Sequence, residues 1–267
     1  MTLQVDSNHS FSFSAGRRID RPPFQKLNPF VFVINKYTYQ EGNPYIRPQF
    51  TWNFELTHNY KGILLTTLSY SYTHDYFSQI FPIENGNIIV YTDGNLGKMQ
   101  NFGVSVSTQF QPVKIWSLNF SASFNYKQIE GYVYSQLTAS LTQMNMNMSN
   151  QFRFKHGWSM EVSGFYNTSG QELQEIQYPT GQLAIGFSKQ LFKNKATLKV
   201  IGRDVLYTQA IRGFTNFDHA TEYFNLTRDS RVCNIAFTWR FGKTFKETIK
   251  RSAGSAADES KRMGNNN

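Results

Sequence analysis

The feature that most constrains this chain is an alternation of apolar and polar residues with period two, in runs of about ten residues repeated from end to end. In FTWNFELTHNY, residues 50–60, Phe50, Trp52, Phe54, Leu56, His58 and Tyr60 alternate with Thr51, Asn53, Glu55, Thr57 and Asn59. After a short KG at 61–62, Leu64, Leu68, Tyr70 and Tyr72 oppose Thr67, Ser69, Ser71 and Thr73, so the two runs read as a tight hairpin. The pattern recurs at 11–15, 102–110, 116–126, 144–154, 158–166, 183–187, 198–200 and 233–241. Side chains alternate across a strand, so each run presents one apolar face and one face of Ser, Thr, Asn and Gln. The spacing predicts an all-β chain: an antiparallel meander of about ten strands.

The connections alternate too. Short ones fall near 61–62, 111–115, 155–157 and 189–195, and long ones at 19–48, 75–98, 128–136, 167–180 and 207–229. Every short turn then lies at one end of the sheet, as in transmembrane barrels with short periplasmic turns and long outer loops. Trp52, Tyr60, Tyr70, Tyr72, Trp116, Tyr126, Trp158, Tyr166 and Trp239 stand toward the ends of their apolar faces, where amphipathic rings meet the lipid–water boundary. No run of about eighteen apolar residues is present, so no membrane-spanning helix is predicted. Backbone polar groups in lipid need protein partners, which leaves a closed sheet as the spanning form. A sandwich that buries the aromatic face between two sheets satisfies the same alternation, so a soluble all-β binding domain is the alternative fold.

The chemistry of other function classes is sparse. Cys233 is the single cysteine, and His9, His58, His74, His156 and His219 lack metal-ligand spacing. His74 and Asp75 are adjacent, but neighbours on a strand point to opposite faces. No phosphate loop, nucleophile elbow or paired-carboxylate signature is visible, so no enzyme, metal or cofactor is predicted. The net charge of +9 is scattered, which argues against nucleic acid. Arg17, Arg18 and Arg21 form the one local basic cluster outside the tail and are candidate contacts for an anionic nutrient or for lipopolysaccharide. Tyr37, Tyr39 and Tyr91 fall in predicted long loops, where rings stack on ligands. The first residues, MTLQVDSNHS, carry neither the basic start nor the apolar middle of a signal peptide.

The chain's last strand, CNIAFTWRFGK at 233–243, alternates through Phe237, Trp239 and Phe241, the pattern favoured by the barrel assembly machinery of Gram-negative bacteria. These three residues are the predicted insertion signal. Residues 1–241 read as barrel, and 242–267, with six Lys or Arg against three acids, as a polar, disordered periplasmic tail.

The stretch RRIDRPPFQKLNPFVFVINKYTYQEGNPYIRPQFTWNFEL at 17–56 resembles the outer-membrane β-barrel family of Bacteroidetes, the barrel half of proteins similar to TonB-dependent receptors. The resemblance is carried by Arg21-Pro22, LNPF at 27–30, YTYQEGNP at 37–44, Pro48 and the closing FTWRFGK at 237–243. GRDVLYTQ at 202–209 is similar to the Asp-containing segment before that family's last long loop. The resemblance implies an outer-membrane receptor with an N-terminal plug, a barrel of about twenty-two strands and energy supplied through TonB. On that reading this chain is the C-terminal portion of a larger barrel, from a truncated or split frame, and TonB and the plug belong to the missing region. The expected function is uptake of a nutrient across the outer membrane; a non-transporting structural or adhesive barrel is the alternative.

Overall fold

The computed structural model describes residues 1–84, 88–132, 136–172, 174–216 and 221–241. The predicted tail at 242–267 and His219 lie outside the described residues. In chain order the elements are β1 (Thr2–Gln4), β2 (His9–Asp20), helix α1 (Phe24–Leu27), β3 (Phe32–Asn35), β4 (Thr38–Gln40), β5 (Gln49–Tyr60), β6 (Leu64–Ile80), β7 (Ile83–Glu84) and β8 (Ile88–Val113). There follow β9 (Trp116–Tyr132), β10 (Gln136–Arg153), β11 (Trp158–Asn167), β12 (Gly170–Glu172), β13 (Glu175–Gln177), β14 (Thr180–Leu191), β15 (Ala196–Arg203), β16 (Ala210–Asn216), β17 (Thr221–Thr227) and β18 (Val232–Trp239).

One sheet runs β1-β2-β5-β6-β8-β9-β10-β11-β14-β15-β18, every neighbour antiparallel, so ten long strands follow the short β1. The register keeps the two faces apart across the sheet. One cross-strand row reads Ser12, Thr57, Thr67, Ser105, Ser123, Asn145, Asn167 and Thr180. The adjacent row reads Phe13, Leu56, Leu68, Val104, Phe124 and Met144. A slip of one residue in any pairing would mix the rows, so the alternation in sequence is what fixes the register. The polar face is the concave one: a hollow of about 740 Å³ is lined by Asn59, Ser107, Asn119, Ser121, Asn147 and Ser163 among others. Most rings lie on the other side, with Phe54 39% and Phe237 57% exposed, rather than packed inside protein; Phe165, level with Asn147 and Gln182, is an inward exception. The sandwich alternative fails on this point, because no second layer covers the apolar face of the described residues.

The short turns need left-handed backbone. Lys61 (φ 54°) and Gly62 (φ 67°) join β5 to β6, and the Asn59 side chain accepts a hydrogen bond from the Gly62 amide at 3.0 Å. His156 (φ 61°) and Gly157 (φ 74°) repeat the arrangement between β10 and β11. Two successive positive φ values match the right-handed twist of the flanking strands.

The long-loop end departs from expectation. Segments 75–98 and 128–136, predicted as loops, are largely strand, because β6, β8, β9 and β10 continue far past the apolar band. Beyond the band no outward apolar row is required, so the periodic signal stops while backbone pairing goes on. At Asp75 (φ 53°) the β6–β8 register shifts, and this bulge turns Tyr76 onto the inner side. There Tyr76 packs with Leu96 and Ile129, flanked by Ile80 and Met99, so the inner face is not polar throughout. Gly97 and Gly131 face each other across β8 and β9, where an added Cβ at Gly97 would meet the Glu130 carbonyl oxygen at 2.4 Å. The remaining long connections are also built: β12, β13, β16 and β17 form a separate 4-stranded sheet.

Candidate functional site

The long-loop segments converge over the inner face. The loop after β2 is tied to β8 in several places. Lys26 of α1 pairs with Asp93, and the Asn43 side chain donates to the Asp93 carbonyl at 3.0 Å. The Asn95 side chain accepts from the Arg47 amide at 2.8 Å and donates to the carbonyls of Arg47 (3.0 Å) and Asp75 (2.7 Å). Arg47 also pairs with Asp75 at 2.7 Å. Strand β4 completes the attachment by pairing in parallel with β8. From the other side, Gln174, in the β12–β13 turn, accepts a hydrogen bond from the Phe81 amide at 3.2 Å.

Beneath these ties lies a polar cavity of about 330 Å³, lined by Lys26, Gln79, Lys127, Gln143, Gln171 and Gln177 together with Glu175. Lys127 is the one charge in the inward row of β9, whose Ser117 to Asn125 members are hydroxyl or amide. It is half-buried, and no ion pair among the described residues includes it. Gln177 donates to Glu175 at 2.7 Å, and Gln79, Gln143 and Gln171 add further amides to the wall. Four amides and an ammonium suit an oxygen-rich, anionic or polyhydroxylated solute. Among the described residues no group of three His, Cys, Asp or Glu is placed to hold a metal ion.

The predicted contact residues divide. Tyr37 is 56% exposed, and its carbonyl accepts from the Ile89 amide at 2.8 Å. The parallel ladder pairs Tyr39 with Val90 and Gln40 with Tyr91, so Tyr39 and Tyr91 leave it on opposite sides. The Tyr91 ring packs edge-on against Phe81, a wall residue, with centroids 4.8 Å apart. Burial pushes the Tyr91 phenol up from its ordinary pKa, and the carboxylates of Glu222 and Glu175 add to the shift. The arginines do not converge. Arg17 is outward, its guanidinium 4.5 Å from the Phe50 ring centre, whereas Arg18 pairs with Thr51 in the inward row and Arg21 is exposed beyond β2. Phe237 and Trp239 lie in the outward row, and Phe241, 89% exposed, falls past the end of β18.

Two arrangements were not anticipated. His9 and His58 meet outside the sheet near the short turns, with Nδ1 and Nε2 3.0 Å apart and rings stacked. Asp204 is fully buried and accepts from the Ser230 hydroxyl at 2.5 Å and from the Thr208 and Gln209 amides at 2.9 and 3.2 Å. Burial alone would raise its pKa, but these donors and nearby Arg231 hold the carboxyl below its usual range. His74 stacks edge-on with Tyr72, while its neighbour Asp75 pairs with Arg47.

The outer membrane protein beta-barrel family matches residues 1–239. The chain belongs to that family. No curated protein matches it. Among solved structures it is similar to the siderophore receptor PirA from Pseudomonas aeruginosa, at 10% identity and TM-score 0.57, over 83% of this chain and 39% of that one. It is also similar to a mutant of the ferric enterobactin receptor PfeA of that organism in complex with enterobactin (12% identity, TM-score 0.55, 88% and 38% covered). The FrpB iron transporter from Neisseria meningitidis follows at 13% identity and TM-score 0.50, with 86% and 36% covered. At such identities the likeness is one of fold, and the chain spans less than half the length of these receptors. The outward apolar rows of this outer-membrane barrel therefore face lipid. Its sheet is open: the free edge of β18, and β2 beyond β1, have no partner strand among the described residues, which fits a partial barrel.

Proposed function

We propose that this chain forms part of the wall and the outer loops of a TonB-dependent receptor of the Bacteroidetes type, which takes up a polar nutrient across the outer membrane. The observation that carries the reading is the cavity of amides and Lys127 at the outer end of the inner face, beneath loops fastened to the sheet. A barrel wall that served only as an anchor needs no such lining. On this reading further strands pair with the open edges, a plug fills the lumen and reaches TonB, and the barrel assembly machinery receives β18 through Phe237, Trp239 and Phe241. The role is binding and passage, without catalysis. The similar receptors are named for siderophores and iron, and an oxygen-rich chelate is one solute that suits the cavity.

The test is deletion of the encoding locus, followed by growth and uptake on panels of iron chelates, glycans and peptides. Loss of uptake of one solute, reproduced by an uncoupler and restored by the intact gene but not by Lys127→Glu, is the expected result. Unchanged uptake across the panels with loss of surface adhesion would favour the adhesive barrel instead. That second reading draws on the exposed apolar run Phe30, Val31, Phe32 and Val33 in the first outer loop, which is 54–80% exposed.

A further inference from the structure

The outward face is not smooth where β10, β11 and β14 meet. Its rows there read Met148, Gly164, Leu183 and Met146, Tyr166, Gly181, so two glycines leave a dent among larger side chains. A Cβ at Gly164 would meet the Gln182 carbonyl oxygen at 2.5 Å, which reserves that position for glycine. One flank of the dent is built by residues 204–209. The Val205 amide donates to the Leu183 carbonyl at 3.0 Å, and the Thr208 hydroxyl donates to the Gly181 carbonyl at 2.9 Å. Leu206 and Tyr207, 62% and 53% exposed, stand over it. The resulting groove of about 640 Å³ is lined by Met146, Met148, Tyr166, Leu183, Leu206 and Tyr207, with Arg212 at its edge. The Arg231 guanidinium lies 4.8 Å from the centre of the Tyr207 ring, and neither arginine joins an ion pair among the described residues.

The location selects the occupant. Tyr166 and Gly181 are at the outer ends of β11 and β14, so the groove opens sideways into the outer leaflet, with both cations at headgroup height. An apolar groove there meets hydrocarbon, and the two guanidinium groups beside it, Arg212 without an ion pair among the described residues and Arg231 near Asp204 but outside ion-pair distance, call for an anion, for which phosphate is the best match in geometry. We propose that this groove binds a phosphorylated, acylated saccharide lipid of the outer leaflet, of the lipid A class: one acyl chain in the glycine dent, phosphate against Arg212 and Arg231. The proposal rests on membrane embedding and is independent of what, if anything, the barrel transports.

It is tested on the full protein carrying this chain, extracted from outer membranes in mild detergent and weighed intact by native mass spectrometry. The wild type and an Arg240→Glu control retain lipid A. Retention falls about tenfold in Arg212→Glu/Arg231→Glu, as expected for loss of a charge-assisted contact worth roughly 1.4 kcal/mol. Met146→Trp, which fills the dent without changing charge, also lowers retention, and unchanged heat-modifiable gel migration verifies that each variant is folded. The proposal is overturned if the arginine variant retains lipid A like the wild type, or if the wild type carries only glycerophospholipid or no lipid.

Discussion

A carboxylate with no exposed surface is costly unless its charge is met, and Asp204 meets it with two amides, a hydroxyl and a nearby guanidinium. It thereby fastens the end of β15 to both ends of the last outer loop, above the membrane-spanning band. Asp204→Ala strands those donors and should cost about 2–4 kcal/mol, read as faster hydrogen exchange and proteolysis at 204–216 and 221–231 with the rest of the sheet unchanged. Because the folded pKa is depressed, the stabilisation is complete above the usual carboxylate range and is lost as pH falls through the depressed value. Loosening of this loop should therefore begin only below about pH 4 and vanish in the alanine variant. Its segment, GRDVLYTQ, stood out in sequence by resemblance, but the knot did not, because Ser230 is distant in the chain. Lys127 left a fainter trace as the one cation in an inward row of hydroxyls and amides.

At the scale of elements, what the sequence discloses is the strand portion that touches lipid. Alternation located β5, β6, β9 and β18 closely, since lipid on one side and water on the other enforce it. It failed past Asp75 and Gln128, where both faces meet water or loops and pairing continues without a pattern. It also missed β12, β13, β16 and β17, short strands whose partners lie in other loops. The facing glycines explain how β8 and β9 stay close there: no side chain separates the backbones at Gly97 and Gly131. Gly131→Val, whose Cβ would come within 2.7 Å of the Leu96 carbonyl oxygen, should part the outer ends of these strands. The expected result is lost exchange protection at 96–99 and 129–131 and a disrupted Tyr76–Leu96–Ile129 cluster, with the membrane-spanning part of both strands intact.

For the whole molecule, everything follows from one partition: rings toward hydrocarbon, hydroxyls and amides toward water. It explains why the described residues bury so little apolar side-chain surface against one another, and why their sheet ends in edges that have no partner strand among them and that lipid alone cannot satisfy. The partition was legible in the sequence, and the partial barrel in its resemblance to longer barrels; the converging loops were not, because they depend on which strands are neighbours. The most direct measurement is a single-cysteine scan of Phe120, Ser121, Ala122, Ser123 and Phe124 in a Cys233→Ser background, in the full protein in bilayers. A fluorophore at each site is challenged with nitroxide-labelled lipid, and each free thiol with a water-soluble maleimide. Lipid quenching at 120, 122 and 124, with maleimide reaction at 121 and 123, is the predicted result. Rings at 120 and 124 reached by neither reagent, or five positions that behave alike, would contradict it.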